Sequence, residues 1–164
     1  MGEVSIRVAC AGDLGAINDI YNHYVASSTS TWQYAPTPDD ERRAWLEAHD
    51  DAHPITVAEL DGEIVGFGSL SLYNPREGYR FTVENSVYVH PEQQRRGVGG
   101  ALLGDLIERA RALGHRTIIA GISADQDASV ALHRAAGFVQ VARLERVGFK
   151  FGRWLDVLYL QKML

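Results

Sequence analysis

Cysteine, lysine and long hydrophobic runs are all scarce in this sequence, and each shortage excludes a class of protein. Cys10 is the single cysteine, so neither an intramolecular disulfide nor a zinc cluster of thiolates can form. No apolar run approaches the roughly 20 residues that a transmembrane helix needs, and the first residues contain no hydrophobic signal segment. We therefore expect a soluble, cytoplasmic protein with no membrane partner.

Basic residues are also fewer than acidic residues. The 16 Lys and Arg residues are outnumbered by 21 Asp and Glu residues, and the formal net charge is −5. This balance argues against a general nucleic-acid-binding surface. Arginine supplies 14 of the 16 basic residues, which favours local recognition of phosphate or carboxylate groups. With 164 residues, 46% of them hydrophobic, the chain predicts one domain over residues 1–164 with a substantial core.

Hydrophobic spacing predicts the element order β-α-α-β-β-β-α-β-α-β-β. Asp61-Gly62 indicates a tight hairpin between the second and third strands. The fourth strand is predicted over residues 79–89, and a long amphipathic helix follows from about Gly97 to Leu113. This order is typical of a mixed sheet with helices packed on it.

The segment between that strand and that helix is the most informative part of the chain. It reads His90-Pro91-Glu92-Gln93-Gln94-Arg95-Arg96-Gly97-Val98-Gly99-Gly100. Glycines let the backbone approach a ligand closely, and a helix start adds partial positive charge that suits a pyrophosphate. The segment is not a Walker A loop, because no Gly-Lys-Ser/Thr follows, nor a Rossmann fingerprint, because the GxGxxG spacing is missing. Taken alone, it fits an anion cradle and an ordinary helix start with solvated arginines about equally well.

The sequence resembles the GCN5-related N-acetyltransferase (GNAT) superfamily at this segment. Residues 94–99 are similar to its Q/R-x-x-G-x-G/A pyrophosphate loop, and residues 20–24, 30–32, 82–89, 128–138 and 147–156 resemble its phosphinothricin and methionine sulfoximine acetyltransferase branch. The resemblance spans essentially the whole chain. It implies the acyl-CoA N-acyltransferase fold, which is a mixed, mostly antiparallel sheet with helices on both faces. It also implies acetyl-CoA as co-substrate, no metal, and a homodimer.

Glu84 is the candidate general base. In a regular strand it shares a face with Thr82 and Ser86, and an ammonium acceptor must lose a proton before it can attack a thioester. The corresponding glutamate of the related acetyltransferases is assigned this role, directly or through a water. Without the resemblance, an ion pair with Arg76 or Arg80 would be the more ordinary interpretation.

His133 is the second candidate catalytic residue. It lies where many relatives carry a tyrosine proposed to protonate the departing CoA thiolate, and where this branch carries a histidine. An imidazole can donate a proton near neutral pH or orient a neighbour by hydrogen bonding. Both roles stay open from the sequence.

The resemblance also implies which residues contact acetyl-CoA. In the superfamily the fourth and fifth strands splay apart near a bulge, where the pantetheine arm pairs with free backbone groups and an N–H stabilises the oxyanion. Gln126 stands where an asparagine commonly contacts that arm, so this contact is predicted to be shifted or lost. The expected cofactor contacts are Val87, Tyr88, Val89, Gln94, Arg95, Arg96, Gly97, Val98, Gly99, Gly100, Gln126 and Ser129.

The acceptor is predicted to be a small amino-acid analogue, and its carboxylate would need a cation. The predicted reaction moves acetyl to the α-amine of phosphinothricin, methionine sulfoximine or methionine sulfone by direct attack in a ternary complex. Spacing does not show which arginine faces the site. The candidate acceptor contacts are Trp32, Arg76, Glu77, Gly78, Tyr79 and Arg80.

Other interpretations remain at this point. The acidic cluster Asp39-Asp40-Glu41 could suit a polycation, so a polyamine, an aminoglycoside or a protein N-terminus is an alternative acceptor. A non-catalytic acetyl-CoA-binding module is a further class, although the presence of both the loop and Glu84 argues against it. His49 and His53 are four residues apart and could hold a metal, but an exposed helix end is the better interpretation before Pro54.

Overall fold

The computed structural model describes residues 2–164, which fold into seven strands and four α-helices. The strands are β1 (Ser5–Val8), β2 (Ile55–Leu60), β3 (Glu63–Leu72), β4 (Thr82–Val89), β5 (Thr117–Ser123), β6 (Val139–Lys150) and β7 (Arg153–Met163). The helices are α1 (Leu14–Ser27), α2 (Asp39–Glu47), α3 (Val98–Ala112) and α4 (Asp127–Ala135). This is the predicted element order. No helix within residues 2–164 is long and apolar enough to span a membrane.

All seven strands belong to one sheet, in the order β1-β2-β3-β4-β5-β7-β6. Neighbours are antiparallel except β4 and β5, which are parallel. The predicted mixed, mostly antiparallel sheet is therefore confirmed.

Helices cover both faces of the sheet. Phe67 of β3 packs with Ile17 and Ile20 of α1 on one face. On the other face Leu103 and Leu106 of α3 pack with residues of β3, β4, β5 and β7. Each of these side chains is at least 98% buried, and such burial contributes about 1.5–3 kcal/mol per large apolar side chain. The apolar stripe predicted for the long helix is the face that α3 buries.

Local signals set most element boundaries. Asp61 and Gly62 have φ values of 52° and 84°, and two such left-handed residues are what a type I′ hairpin turn requires. The predicted hairpin is confirmed. The strand predicted from Tyr79 instead begins at Thr82, because Glu77–Tyr79 form a 3₁₀ turn.

The pairing of β4 with β5 ends early, and this creates the main opening in the sheet. Thr82–Glu84 pair with Thr117–Ile119, after which β5 follows β7 as far as Ser123. Residues 85–89 of β4 thus have no partner strand on that side. The splay expected from the resemblance is present, but the expected bulge is not seen in β4. Its register with β3 runs unbroken from Val83 to Val89, and beyond Ile119 β5 stays paired with β7 alone.

Candidate active site

The opening between the two strands is a narrow cleft, which we call the β4–β5 cleft. Successive residues of a strand direct their backbone N–H and C=O groups to opposite sides, so alternate residues of β4 present unpaired groups to this cleft. An extended ligand can pair with such groups as an added strand would. The lining residues are Ser30, Trp32, Asn85, Ser86, Val87, Tyr88, Ala120, Gly121, Ile122, Ser123, Gln126, Ser129 and His133.

The loop after β4 presents free backbone N–H groups at the start of α3. Arg95 and Gly97 both have left-handed backbones, with φ values of 61° and 83°. Gly97 is the N-cap of α3, and the first hydrogen bond of the helix runs from Ala101 N to Gly97 O at 3.0 Å. The three N–H groups before Ala101 therefore have no partner within the helix. Left-handed residues just before a helix start can turn backbone N–H groups into one anion-binding concavity, which fits a diphosphate.

The Gln94 side chain ties this loop to the end of β4. Its Nε2 donates to Tyr24 Oη at 2.7 Å, and the Tyr24 hydroxyl donates to the Val89 carbonyl at 2.5 Å. The Val89 carbonyl is thus occupied by a side chain from α1. Arg95 and Arg96 are exposed at the surface beside the helix start, where their charge adds to that of the free N–H groups.

Glu84 lies where β4 and β5 part, half-buried and without a partner. No side chain or backbone group of residues 2–164 forms a hydrogen bond or ion pair with its carboxylate, so the alternative ion pair with Arg76 or Arg80 is not formed. Burial raises the pKa of the Glu84 carboxyl group, because a desolvated carboxylate is unfavourable. Its Oε1 is 3.6 Å from the position that a Cβ on Gly121 would take, so the carboxylate reaches towards β5 at the cleft. An unpaired carboxylate with a raised pKa is suited to accept a proton.

His133 is buried in α4 and holds Asn85 of β4. Its Nδ1 lies 2.8 Å from the Ser129 carbonyl, which can only accept, so Nδ1 donates there. Its Nε2 then accepts from Asn85 Nδ2 at 3.0 Å. Burial lowers the pKa of His133, which favours the neutral imidazole that this arrangement requires. In this state the ring has no proton on the nitrogen nearer to β4.

Asn85 is a functional candidate that the sequence analysis missed. It is 6% exposed, it lines the β4–β5 cleft, and its Oδ1 is buried without a hydrogen-bond partner in residues 2–164. A buried amide oxygen that lacks a donor costs about 1–3 kcal/mol unless a ligand or water supplies one. A signal was available, since Asn85 lies on the strand face of Val83 and Val87, where an apolar residue is expected.

Gln126 and Ser129, two of the predicted contacts of the pantetheine arm, both line the β4–β5 cleft. Gln126 Nε2 donates to Thr29 Oγ1 at 2.7 Å and lies 3.3 Å from Ser28 Oγ. Its amide nitrogen therefore holds the segment after α1 in place instead of pointing freely into the cleft. The contact of Gln126 with the pantetheine arm stays a prediction.

Of the predicted acceptor contacts, the structure brings only Trp32 to the cleft. The Trp32 ring lies against Gly148 of β6, where an added Cβ would collide with the indole. Residues 76–80 are exposed at the start of β4, outside the β4–β5 cleft. Contact of Arg76 or Arg80 with the acceptor stays a prediction.

The two histidines of the alternative metal site have other partners. His49 Nδ1 donates to the Trp45 carbonyl at 2.7 Å, and its Nε2 lies 3.0 Å from Ser71 Oγ. His53 pairs with Asp50 at 2.7 Å. Residues 2–164 contain no group of three or more His, Cys, Asp or Glu side chains arranged to hold a metal ion.

Comparison with known proteins agrees with this geometry. The profile of the acetyltransferase (GNAT) family matches residues 17–138. The chain belongs to the GNAT family of acetyltransferases. This confirms the family resemblance, and the arrangement of strand, loop and helix around residues 82–112 lies within the matched region.

Similar proteins cover nearly the whole chain. The L-amino acid N-acyltransferase MnaT of Escherichia coli (strain K12) is 43% identical over 98% of this chain and 94% of that protein. The L-methionine sulfoximine/L-methionine sulfone acetyltransferase of Salmonella typhimurium is 41% identical over 98% of this chain and 95% of that protein. Among solved structures, a phosphinothricin acetyltransferase from Sinorhizobium meliloti in complex with acetyl-CoA has a TM-score of 0.94 and is 37% identical, covering 98% of this chain and 88% of that one.

Proposed function

We propose that this protein transfers acetyl from acetyl-CoA to the α-amine of a small amino-acid analogue. Methionine sulfone, methionine sulfoximine and phosphinothricin are the leading acceptors, because similar enzymes are named for them. The observation that carries the proposal is the unpaired, half-buried carboxylate of Glu84 at the point where β4 and β5 part. The strand that lines the cleft beside it, β4, continues into the loop whose free N–H groups suit the diphosphate of acetyl-CoA.

Acetyl-CoA supplies an activated thioester, and the protein contributes alignment, proton removal and oxyanion stabilisation. Glu84 accepts a proton from the acceptor ammonium, directly or through a water. The free amine nitrogen then attacks the thioester carbonyl carbon, and a backbone N–H of β4 in the cleft donates to the oxyanion. Collapse of the tetrahedral intermediate forms the amide and releases the CoA thiolate. The departing CoA thiolate takes the second proton from the nitrogen, directly or through solvent, as the amide forms. Direct attack on the thioester requires no metal and no acyl-enzyme.

His133 acts in this proposal as a positioning residue. Its only ring N–H is donated to Ser129, whereas its Nε2 accepts from Asn85 and thereby turns Asn85 Oδ1 to face a donor in the cleft. The free Oδ1 suits an amide N–H of an extended ligand such as the pantetheine arm. This geometry favours the orienting role over proton donation to the leaving thiolate.

We also propose that two copies associate through the β6–β7 hairpin. Its turn side exposes several apolar side chains, which are the feature expected of a protein–protein contact. Phe149 and Trp154 pack edge to face at 5.1 Å, and Trp154 is 63% exposed. The exposed apolar residues of the hairpin are Val139, Val141, Leu144, Val147, Phe149, Phe151, Trp154 and Met163.

The association is tested by light scattering after size exclusion. Wild type should elute with twice the chain mass of 18.1 kDa, and Trp154→Glu should shift the population towards monomer. A monomeric wild type at micromolar concentration would contradict the proposal.

The acetyl transfer is tested with purified protein, acetyl-CoA and a panel of amines, following thiol release and identifying the product by mass. We expect N-acetyl products from methionine sulfone, methionine sulfoximine and phosphinothricin, and slow or no reaction with spermidine, an aminoglycoside or an N-terminal peptide. We further propose that the protein acts in the cytoplasm, and that acetylation of phosphinothricin would give expressing cells resistance to it. Binding of acetyl-CoA without turnover of any amine would instead favour a non-catalytic binding module.

A further inference from the structure

A second pocket opens beside the β4–β5 cleft, on the sheet face that α1 and α2 cover. Its volume is about 300 Å³, and it shares Ser86 and Tyr88 with the cleft. Tyr21 of α1 and Glu41, Arg42 and Trp45 of α2 line its other side, and of these Glu41 is exposed at the surface. We call it the Arg42 pocket. Its size suits part of a small molecule.

The floor of the Arg42 pocket adjoins Glu84. In the register of β3 with β4, Ser71 stands opposite Glu84 and Ser69 stands opposite Ser86. Side chains directly opposite on one sheet face have Cβ atoms about 4.5–5.5 Å apart. Both serines line the pocket, so a ligand with its amine at Glu84 would extend directly into it.

Arg42 is a buried cation that the protein leaves largely unpaired. It is 5% exposed, and its Nε donates to Asn18 Oδ1 at 3.1 Å. Its guanidinium carbon lies 4.4 Å from the centre of the Tyr21 ring and 4.7 Å from that of Trp45. No carboxylate of residues 2–164 forms an ion pair with it, and its two terminal nitrogens donate to no acceptor there. The nearby Asp39 carboxylate accepts instead from Asn18 Nδ2 at 3.0 Å.

This arrangement is unfavourable for a protein without a ligand. Removing a guanidinium from water is unfavourable, and the two aromatic faces offset only part of that desolvation. Burial accordingly lowers the pKa of Arg42. The rings fix the plane of the guanidinium and leave its two terminal nitrogens for a partner. A carboxylate or phosphinate matches that fork with two parallel hydrogen bonds and supplies the missing negative charge.

We infer that the Arg42 pocket is an oxyanion subsite that holds the acidic group of the acceptor while its amine faces Glu84. The inference depends on the proposed function, to which it adds the residue that recognises the acceptor's acid. Hydroxyl groups of Ser69, Ser71 and Ser86 supply further polar contacts along the floor.

The test compares acceptors that differ only in charge. L-methionine sulfone carries one anionic group, its α-carboxylate, whereas its carboxamide keeps the amine and the side chain without the anion. Steady-state kinetics are measured for both at saturating acetyl-CoA with wild type and with Arg42→Met. Arg42→Met should raise KM for methionine sulfone about 10- to 100-fold, as loss of a bidentate charged pair does, and change kcat/KM for the carboxamide less than about threefold. KM for acetyl-CoA should not move.

Arg43→Met is the matched control, because Arg43 is the exposed neighbour on the same helix. It should leave both acceptors unaffected. Equal losses with acid and carboxamide would show that Arg42 only supports the fold and would overturn the inference, as would an unchanged preference for the acid. Phosphinothricin is a further acceptor in the same test: because it carries the same α-carboxylate, Arg42→Met should raise its KM by a similar factor.

Wild type alone provides a second measurement in case Arg42→Met does not fold. Methionine sulfone should raise the unfolding temperature of the wild type in a concentration-dependent way, and the carboxamide should not. Equal shifts would overturn the subsite. If wild type acetylates no amino acid at all, the proposed function fails. If it acetylates them and Arg42→Met still prefers the acid, only the subsite fails.

Discussion

Lys150 Nζ donates to the Thr31 carbonyl at 2.8 Å, which joins the end of β6 to the loop that carries Trp32. A second bond from Nζ reaches the Ser28 carbonyl at 2.6 Å. Lys150 is 3% exposed, and burial lowers the pKa of its ammonium group. A residue late in the chain therefore sets where an aromatic wall of the cleft stands.

Replacing Lys150 with Met should loosen that wall. The change keeps an unbranched side chain that is one atom shorter, and it leaves two carbonyls without their donor, which costs about 1–3 kcal/mol. We expect a lower midpoint in urea unfolding and a higher KM for the acceptor, with KM for acetyl-CoA less affected. Lys162→Met, at a partly exposed site on β7, is the control. An unchanged midpoint would show that the bonds from Lys150 carry little energy.

Glu84→Gln should abolish most of the turnover while preserving binding of acetyl-CoA. A general base contributes about 10²- to 10⁴-fold to rate, so kcat at pH 7 should fall at least 100-fold. Calorimetry should give the same affinity for acetyl-CoA as wild type. Glu63→Gln, on the exposed start of β3, is the matched control. If Glu84→Gln kept more than a tenth of the wild-type kcat, Glu84 would not be the general base.

Comparison of wild type with Glu84→Gln also tests how the free energy of unfolding depends on pH. The folded pKa of Glu84 is raised from the model-compound value of 4.5, so between these two pKa values the folded state binds more protons than the unfolded chain. The contribution of Glu84 to stability is therefore present below pH 4.5 and is lost as pH rises through the folded pKa. The free energy of unfolding of wild type, relative to Glu84→Gln, should fall over this window. A difference that grows with pH would mean that the carboxylate is stabilised in the fold.

The pair of His133 and Asn85 offers a test of positioning against proton donation. His133→Phe fills a similar volume and removes both hydrogen bonds of the ring, so stability should fall by about 1–3 kcal/mol. KM for acetyl-CoA should rise, while the shape of the kcat–pH profile should be unchanged. A double-mutant cycle with Asn85→Leu should be non-additive, because the two side chains act through one bond. If the fall of kcat at alkaline pH disappeared in His133→Phe, the His133 ring would instead be the proton donor.

Gly97→Ala should weaken the loop that precedes α3. At φ 83° an alanine is strained, and we expect a stability loss of about 1 kcal/mol together with weaker binding of acetyl-CoA in calorimetry. Gly104→Ala is the control, since Gly104 lies inside α3 with open space around it. There an alanine should stabilise the helix by about 0.5–1 kcal/mol. If Gly97→Ala and Gly104→Ala bound acetyl-CoA with equal affinity, the loop before α3 would not contribute to cofactor binding.

Parts of the site that depend on one stretch of chain could be predicted. Glu84 was placed on a strand face by alternation, and residues 94–99 were placed before a helix by their glycines. Asn85 was passed over because it sits beside Glu84 on the opposite face, and its role appears only when His133 of α4 is packed against it. Arg42 was missed for a similar reason, since α2 begins with Asp39, Asp40 and Glu41 and its sequence is that of a solvated helix.

Residue order by itself determined the succession of strands and helices, the hairpin at Asp61-Gly62 and the glycine-rich entry into α3, because turn geometry and side-chain periodicity act over a few residues. Only the tertiary structure decided that β5 leaves β4 after Ile119, that Arg42 is stacked between Tyr21 and Trp45, and that Lys150 reaches Thr31. These contacts join residues far apart in the chain. Their energies come from desolvation and packing between elements, which no local pattern in the sequence specifies.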